Sequence, residues 1–220
     1  MNIWEWFTDP ENWTGPDGIP VRTWEQLEIS LSAMAIALVV AMPVALILGH
    51  LGKGVFLATN LGNIGRAVPT LGVLTILASI PEIGIGNLAA VLALALFAIP
   101  PLLTNTFTGI ASVDPEVKGA ARGMGMGGMS VLARVELPLA VPLIAAGIRT
   151  ATVQVVATAS LAALVGGGGL GRYVVDGFAL QDNTLILAGA ILTALLAMTA
   201  ELVLARAQRG VTPKGLRSAG

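Results

Sequence analysis

The sequence predicts an all-α, polytopic membrane protein with five transmembrane helices, and leaves open a sixth membrane-associated element in the N-terminal segment. Three observations lead there: an overwhelmingly apolar composition, five apolar stretches of spanning length, and a one-sided distribution of cations. Of 220 residues, 55% are hydrophobic and only 11% charged, with mean hydropathy +0.83. Soluble domains run about 25% charged and 45–50% apolar with glycine counted. On that count this chain, with its 27 glycines, reaches about two-thirds. A water-soluble globule of this size cannot hide that much apolar surface, so the solvent is lipid.

The elements follow in order. Residues 1–24 form an interface-lying leading segment with short helical pieces. The acidic Glu5, Asp9, Glu11, Asp17 and Glu25, with Pro10, Pro16 and Pro20 and no basic start, do not make a signal peptide. Trp4, Trp6, Trp13 and Trp24 suit the headgroup layer, where an indole is buried and its N–H stays wet. Residues 25–205 carry the spans, at Leu27–Leu48, Val55–Ile80, Leu88–Ile110, Leu139–Val165 and Leu185–Ala205. Each is close to the ~20 residues a helix needs to cross ~30 Å of hydrocarbon. Pro43, Pro69, Pro100, Pro101 and Pro142 fall inside them, which membrane helices tolerate when neighbours re-satisfy the freed carbonyls. Gly166–Gly169 with Gly171 reads as a flexible turn into a short re-entrant or surface helix, and not as a phosphate cradle, since no strand precedes it. Residues 206–220 are a basic cytoplasmic tail.

Cations set the orientation. With the N-terminus outside and five spans, Lys53, Lys118, Arg122, Arg134, Arg206, Arg209, Lys214 and Arg217 lie inside, and Arg22 and Arg172 outside. That satisfies the positive-inside rule, and the reverse threading violates it.

Composition also removes whole classes of chemistry. Without cysteine there is no disulfide, zinc-thiolate site, iron–sulfur cluster or thiol nucleophile. The single histidine, His50, reads as a loop residue beside Lys53, and makes a His-based catalytic or metal centre untenable. A net charge of −1 gives no expectation of nucleic-acid binding. The chain is expected to be no enzyme, with no metal site and no cofactor of its own. A secondary transporter or channel is a competing class, but no inverted repeat or paired broken helices are evident.

The loop of residues 111–138 is the most informative region. Asp114-Pro115 starts a helix, because the carboxylate caps orphan N–H groups and proline is tolerated at the first helical position. That helix runs from Pro115 to about Met124, where Gly123, Gly125, Gly127 and Gly128 break it. A second, Ser130–Glu136, stops at Leu137-Pro138. A helix–glycine turn–helix between two spans makes a knob for a cytoplasmic partner.

Gly119-Ala120-Ala121, then Gly125, then Val135-Glu136-Leu137-Pro138 resembles the Glu-Ala-Ala loop of permease subunits in type I ABC importers. Ala120, Ala121, Gly125, Leu137 and Pro138 match by identity, whereas Gly119 stands where the family usually has glutamate. If the missing charged contact is supplied nearby, the candidates are Glu116, Lys118 and Arg122. The segments VDPEVKGAARGMGM, VELPLAVPLIAAGIRTATV and GGGGLGRYVVDGFALQDNTLILAGA, with GRAVPTLGVL at Gly65–Leu74, are similar to the branch that carries glycine betaine, carnitine and choline.

The resemblance implies the type I permease fold of five to six helices, and a permease dimer of identical or related chains. It also implies two ATP-binding subunits holding ATP and magnesium, an extracytoplasmic substrate-binding protein, and a bacterial plasma membrane. The same architecture importing methionine or another amino acid is the alternative. The residues agree with borrowed energy, since Gly52-Lys53-Gly54 lacks the spacing and hydroxyl of a phosphate loop. Glu116, Gly119, Ala120, Ala121, Arg122, Gly125, Leu137 and Pro138 are the expected coupling residues. For the pathway the candidates are Arg66, Thr70, Arg149, Gln154 and Thr158, with Thr75, Thr150, Thr152 and Ser160 as further polar positions. Arg66 and Arg149, as intramembrane charges, either line it or pair structurally; the hydroxyls either line it or bond between helices. Phe56, Phe97, Phe107, Tyr173 and Phe178 make no evident aromatic cage for a quaternary ammonium, which points to a selective pocket on the binding protein.

Overall fold

The structure, a computed structural model, describes residues 2–53 and 69–211, and no strand occurs among them. The helices are α1 (Ile3–Thr8), α2 (Ile19–His50), α3 (Thr70–Ala78), α4 (Asn87–Ala111), α5 (Pro115–Gly123), α6 (Gly128–Val131), α7 (Leu137–Thr158), α8 (Gly171–Leu180) and α9 (Asn183–Val211). Short 3-10 turns lie at Pro10–Trp13 and Ala159–Val165, and a π-helical turn at Leu132–Glu136 joins α6 to α7. Four stretches are long and apolar enough to cross a membrane: Ile19–His50, Asn87–Ala111, Gly128–Val165 and Asn183–Val211. They correspond to four of the five expected spans. The remaining one, Val55–Ile80, lies mostly outside the described residues, as do Phe56, Arg66 and the tail beyond Val211; its described end is the nine-residue α3.

Three boundaries differ from expectation, two of them for a local reason that a proline supplies. α2 begins at Ile19, eight residues before Leu27, because Pro20 falls in the first turn, where its missing N–H has no helical partner to lose. Arg22 N already bonds Gly18 O at 3.0 Å, so Trp24, Glu25 and Gln26 are helical. Leu137-Pro138 does not stop the chain of helices. The π turn, closed by Leu137 N to Leu132 O, widens the backbone where the proline ring would meet the preceding turn, and α7 continues. α9 extends to Val211 and takes Arg206 and Arg209 into its last turns.

The chain divides into two compact units: Met1–Ile36, Val68–Ala98 and Thr152–Glu201 in the first, and Ala37–Ala67, Ile99–Ala151 and Leu202–Gly220 in the second. The first is built on Trp6, Ile19, Leu170, Tyr173 and Ala188, with Ile3, Phe7, Leu185, Leu192 and Leu196 packed around them. Trp6 is therefore a core residue, edge-on to Tyr173 at 5.4 Å, while Trp4, Trp13 and Trp24 are exposed as headgroup anchors require. The Tyr173 hydroxyl donates to Asp17 O at 2.6 Å and ties the leading segment to α8.

The second unit is built on Ile110, Ala140 and Ile144, with Met42, Leu46, Leu132, Leu137 and Ile148 against them. Leu132 and Leu137, five positions apart, meet the same cluster, which is the spacing of the π turn between them. Gly49 is required here: a Cβ would lie 2.8 Å from that of Ile110, too close for any side chain.

Candidate functional site

The loop between α4 and α7 is the candidate site. Asp114 caps α5, its Oδ1 accepting from Glu116 N at 2.8 Å, with Pro115 at the first helical position as the sequence predicts. The helix ends in a glycine turn: Gly125 takes φ +85°, its N bonds Arg122 O, and Met126 N bonds Ala121 O. Ala121 is buried against the turn. Glu116, Gly119, Ala120, Arg122, Gly125 and Pro138 are exposed, and Leu137 is half-buried. A Cβ at Gly119, Gly123, Gly125 or Gly127 would meet nothing within 4 Å. The outer face of α5 is thus open space over bare backbone, rimmed by the exposed Val117, Met124 and Met129. Such a face admits a partner's side chains at close range.

Beneath that face lies a fully buried carboxylate, Glu136 of the π turn. Its Oε2 is 2.7 Å from His50 Nδ1, at the last residue of α2, and its Oε1 is 3.5 Å from Lys118 Nζ of α5. An ionised carboxylate only accepts, so Nδ1 carries the proton in this contact. Lys118 Nζ also donates to Ile110 O at 3.0 Å, the last turn of α4. A buried charge is tolerated only when paired and hydrogen-bonded, and here the Lys118 ammonium and the His50 ring share it. His50 is therefore not a bland loop residue: it closes α2 and anchors the loop. Gly119 faces open space, and of the neighbours considered to replace its missing carboxylate, Lys118 is the one that makes a buried charged contact, to Glu136.

Among the pathway candidates, Arg149 Nη1 donates to Gln208 Oε1 at 3.1 Å, and Gln208 Nε2 to Pro142 O at 3.3 Å. That is pairing between α7 and α9, one of the two readings left open for it. Thr158 Oγ1 donates to Gln154 O at 2.7 Å and Thr75 Oγ1 to Leu71 O at 2.7 Å, both inside their own helices. Thr70 opens α3, and both it and Gln154 are half-buried. No aromatic cage forms among the described residues, since Tyr173 is spent in the first unit's core and Phe107 is buried while Phe178 is exposed.

A second polar region was missed in the sequence. The glycine turn after the 3-10 stretch is not loose but held by three acceptors: Asn87 Oδ1 to Gly168 N at 2.9 Å, Glu25 Oε2 to Gly169 N at 2.8 Å, and Gln26 Oε1 to Leu170 N at 3.2 Å. Gln26 is wholly buried and also donates to Val156 O at 3.0 Å. Arg22, Glu25, Asn87, Gly166–Gly168 and Arg172 line an open recess of about 510 Å³ there. The signal available was Glu-Gln in the first turns of a span, next to a helix start misplaced at Leu27.

Comparison with known proteins gives one consistent result. A family model described as "binding-protein-dependent transport system inner membrane component" matches residues 37–214. The chain is 39% identical over 196 residues to a glycine betaine/carnitine/choline transport system permease protein of Bacillus subtilis, covering 89% of each. It is 38% identical to a carnitine transport permease protein of Listeria monocytogenes (90% of each) and 35% to an osmoprotectant import permease protein of Salmonella typhimurium (89% of this chain, 92% of the relative). Its fold superposes on an inward-facing MetNI methionine ABC transporter chain with TM-score 0.77 and 23% identity, over 94% of this chain and 100% of that one.

Proposed function

This chain belongs to the family of binding-protein-dependent transport system inner membrane components, and from that premise we propose that its solutes are quaternary-ammonium osmoprotectants: glycine betaine, carnitine or choline. The chain is a membrane-spanning permease subunit of an ATP-driven importer. The observation that carries the substrate class is identity of 39% across 89% of a permease named for those three solutes. The likeness to the methionine transporter is one of fold at 23% identity and gives no support to the amino-acid alternative.

The energy comes from a separate ATP-binding subunit that holds ATP and magnesium, and this chain hydrolyses nothing. Residues 111–138 seat that subunit, with Glu116, Gly119, Ala120, Ala121, Arg122 and Gly125 forming the contact, and Leu137 and Pro138 leading the movement into α7. An extracytoplasmic binding protein delivers solute and supplies the selectivity. A second permease copy, identical or related, completes the pathway through the spans of residues 25–205. The polar positions Arg66, Thr70, Gln154 and Thr158 belong to that pathway, and Arg149 borders it through its pairing with Gln208.

The N-terminus faces outward and the loop and C-terminus face the cytoplasm. Cation placement supports this: Lys53, Lys118, Arg122, Arg134, Arg206, Arg209, Lys214 and Arg217 fall on the segments this threading puts inside, against Arg22 and Arg172 outside. The test is uptake of radiolabelled glycine betaine, carnitine, choline and methionine in a strain lacking the chain. Loss of at least one osmoprotectant is expected, and loss of methionine uptake alone overturns the assignment. An Ala121→Trp variant tests the loop: it inserts normally but loses the ATP-binding subunit on purification, and a variant that keeps that subunit and full uptake overturns the seating role.

A further inference from the structure

We infer that Glu136 is a positioning residue for transport, the centre of an ionic clasp in which His50 and Lys118 fix the loop helix to the ends of two crossing helices. The inference rests on the seating role assigned above to residues 111–138.

α5 is joined to α6 through Gly123, Gly125 and Gly127, which alternate with Met124 and Met126, and Gly125 stands at positive φ. A helix hung on such a turn swings, and a push on it is dissipated. What restrains α5 from its own side is Lys118. Its ammonium bonds the Ile110 carbonyl at 3.0 Å and stands 3.5 Å from Glu136 Oε1. The other carboxylate oxygen is held at 2.7 Å by His50, the terminal residue of α2. One fully buried side chain therefore links α2 and α5 to the π turn that starts α7, and Lys118 adds α4.

Equal volume in apolar side chains would pack this space without the desolvation of a carboxylate, so stability alone does not account for the arrangement. A charge in a dry site fixes one register, because every displaced geometry leaves it unpaired. The close fit extends to α6: a Cβ at Gly128 would sit 3.3 Å from His50 Nε2. The clasp also has a direction. Glu136 Oε1 is buried and accepts no hydrogen bond among the described residues, and Lys118 lies just beyond good bonding range. A sub-ångström advance of α5 toward the π turn completes that bond, so a push on the loop tightens the link to α7.

The experiment uses the whole importer, purified through this chain with its ATP-binding subunit and binding protein, in liposomes with glycine betaine as probe. Glu136→Gln keeps the shape and the His50 contact but removes the charge, and Lys118→Met removes the other half. Both are expected to retain the ATP-binding subunit and hydrolyse ATP, while glycine betaine moved per ATP falls about tenfold. The double variant is expected to be no worse than the worse single one, because the two act on one contact. Lys118→Arg, which keeps the cation, is expected to restore transport per ATP. Unchanged transport per ATP in both single variants overturns the clasp, as does a Lys118→Arg no better than Lys118→Met. Should Glu136→Gln fail to assemble, Lys118→Met and Lys118→Arg decide alone, since Lys118 lies on the short loop helix α5 and both replacements keep a long, unbranched stem there. If Ala121→Trp loses the ATP-binding subunit while the clasp variants stay coupled, the seating role stands and the clasp falls. If Ala121→Trp transports normally, the seating role itself falls.

Discussion

Replacing Gln26 by leucine gives the most direct energetic test of how the glycine turn is held. Gln26 is wholly buried, and its amide bridges α7 and the turn, donating to Val156 O at 3.0 Å and accepting from Leu170 N at 3.2 Å. Leucine is close in volume, so the cavity contribution is small and the loss is polar. Two net hydrogen bonds are worth about 0.5–1.5 kcal/mol each. Leu170, itself 1% exposed, would keep a donor with no water to turn to, adding about 1–3 kcal/mol. Removing the buried amide itself returns about 1 kcal/mol. The balance is a destabilisation of about 2–4 kcal/mol. For a chain of this length that lowers the unfolding midpoint by about 5–15 °C. Thermal unfolding in detergent, followed by tryptophan fluorescence, measures it, because Trp6 packs in the same core cluster as Leu170. Amide exchange at Gly169 and Leu170 should accelerate together. A midpoint within about 2 °C of the parent, with unchanged exchange at Leu170, would refute the reasoning and leave the turn held by Asn87 and Glu25 alone.

Two further outcomes are expected. Tyr173 is the chain's single tyrosine, and burial pushes its hydroxyl up to about 12, partly opposed by the nearby Arg22. Its ultraviolet phenolate band should therefore emerge well above the ordinary tyrosine midpoint near 10. Because the folded state holds this proton more tightly than the unfolded one, its contribution is fully present below about pH 10 and is lost as pH rises toward 12; a band emerging near pH 10 with the chain still folded contradicts the burial. Orientation is testable because the chain has no cysteine. Trp13→Cys should react with an impermeant maleimide on intact cells, and Met129→Cys only after permeabilisation; the opposite pattern reverses the threading.

Local chemistry was legible in the sequence, and contacts between distant segments were not. The start of α5 needs only Asp114 and Pro115, and it lies where those two residues place it. α4 at Asn87–Ala111 matches the expected Leu88–Ile110 to one residue at each end, because apolar length decides a span. The proposed coupling residues were named through a family resemblance; Gly119, Gly123, Gly125 and Gly127 present open backbone there, whereas Ala121 is buried. His50 and Glu136 could not be joined that way. They are 86 residues apart, and the pairing depends on where α2 ends and on a π turn with no local sequence signature. Gln26 and Leu170, 144 apart, escaped for the same reason. A proline misled once: Pro138 was read as a stop, though it lies where the helix has already widened. Trp6 carried the same signal as its exposed neighbours, and only the ring of Tyr173 beside it made it core.

One helix, α2, carries Glu25 and Gln26 in its second turn and His50 at its tip. At 1.5 Å per residue its 32 residues make a rod of about 48 Å. A hydrogen-bonded rod resists stretching along its axis far more than it resists bending. Pro43 frees the carbonyl of Val39 and supplies the place to bend. A displacement of the histidine end is therefore met first by flexure at Pro43, seven residues away on the same helix.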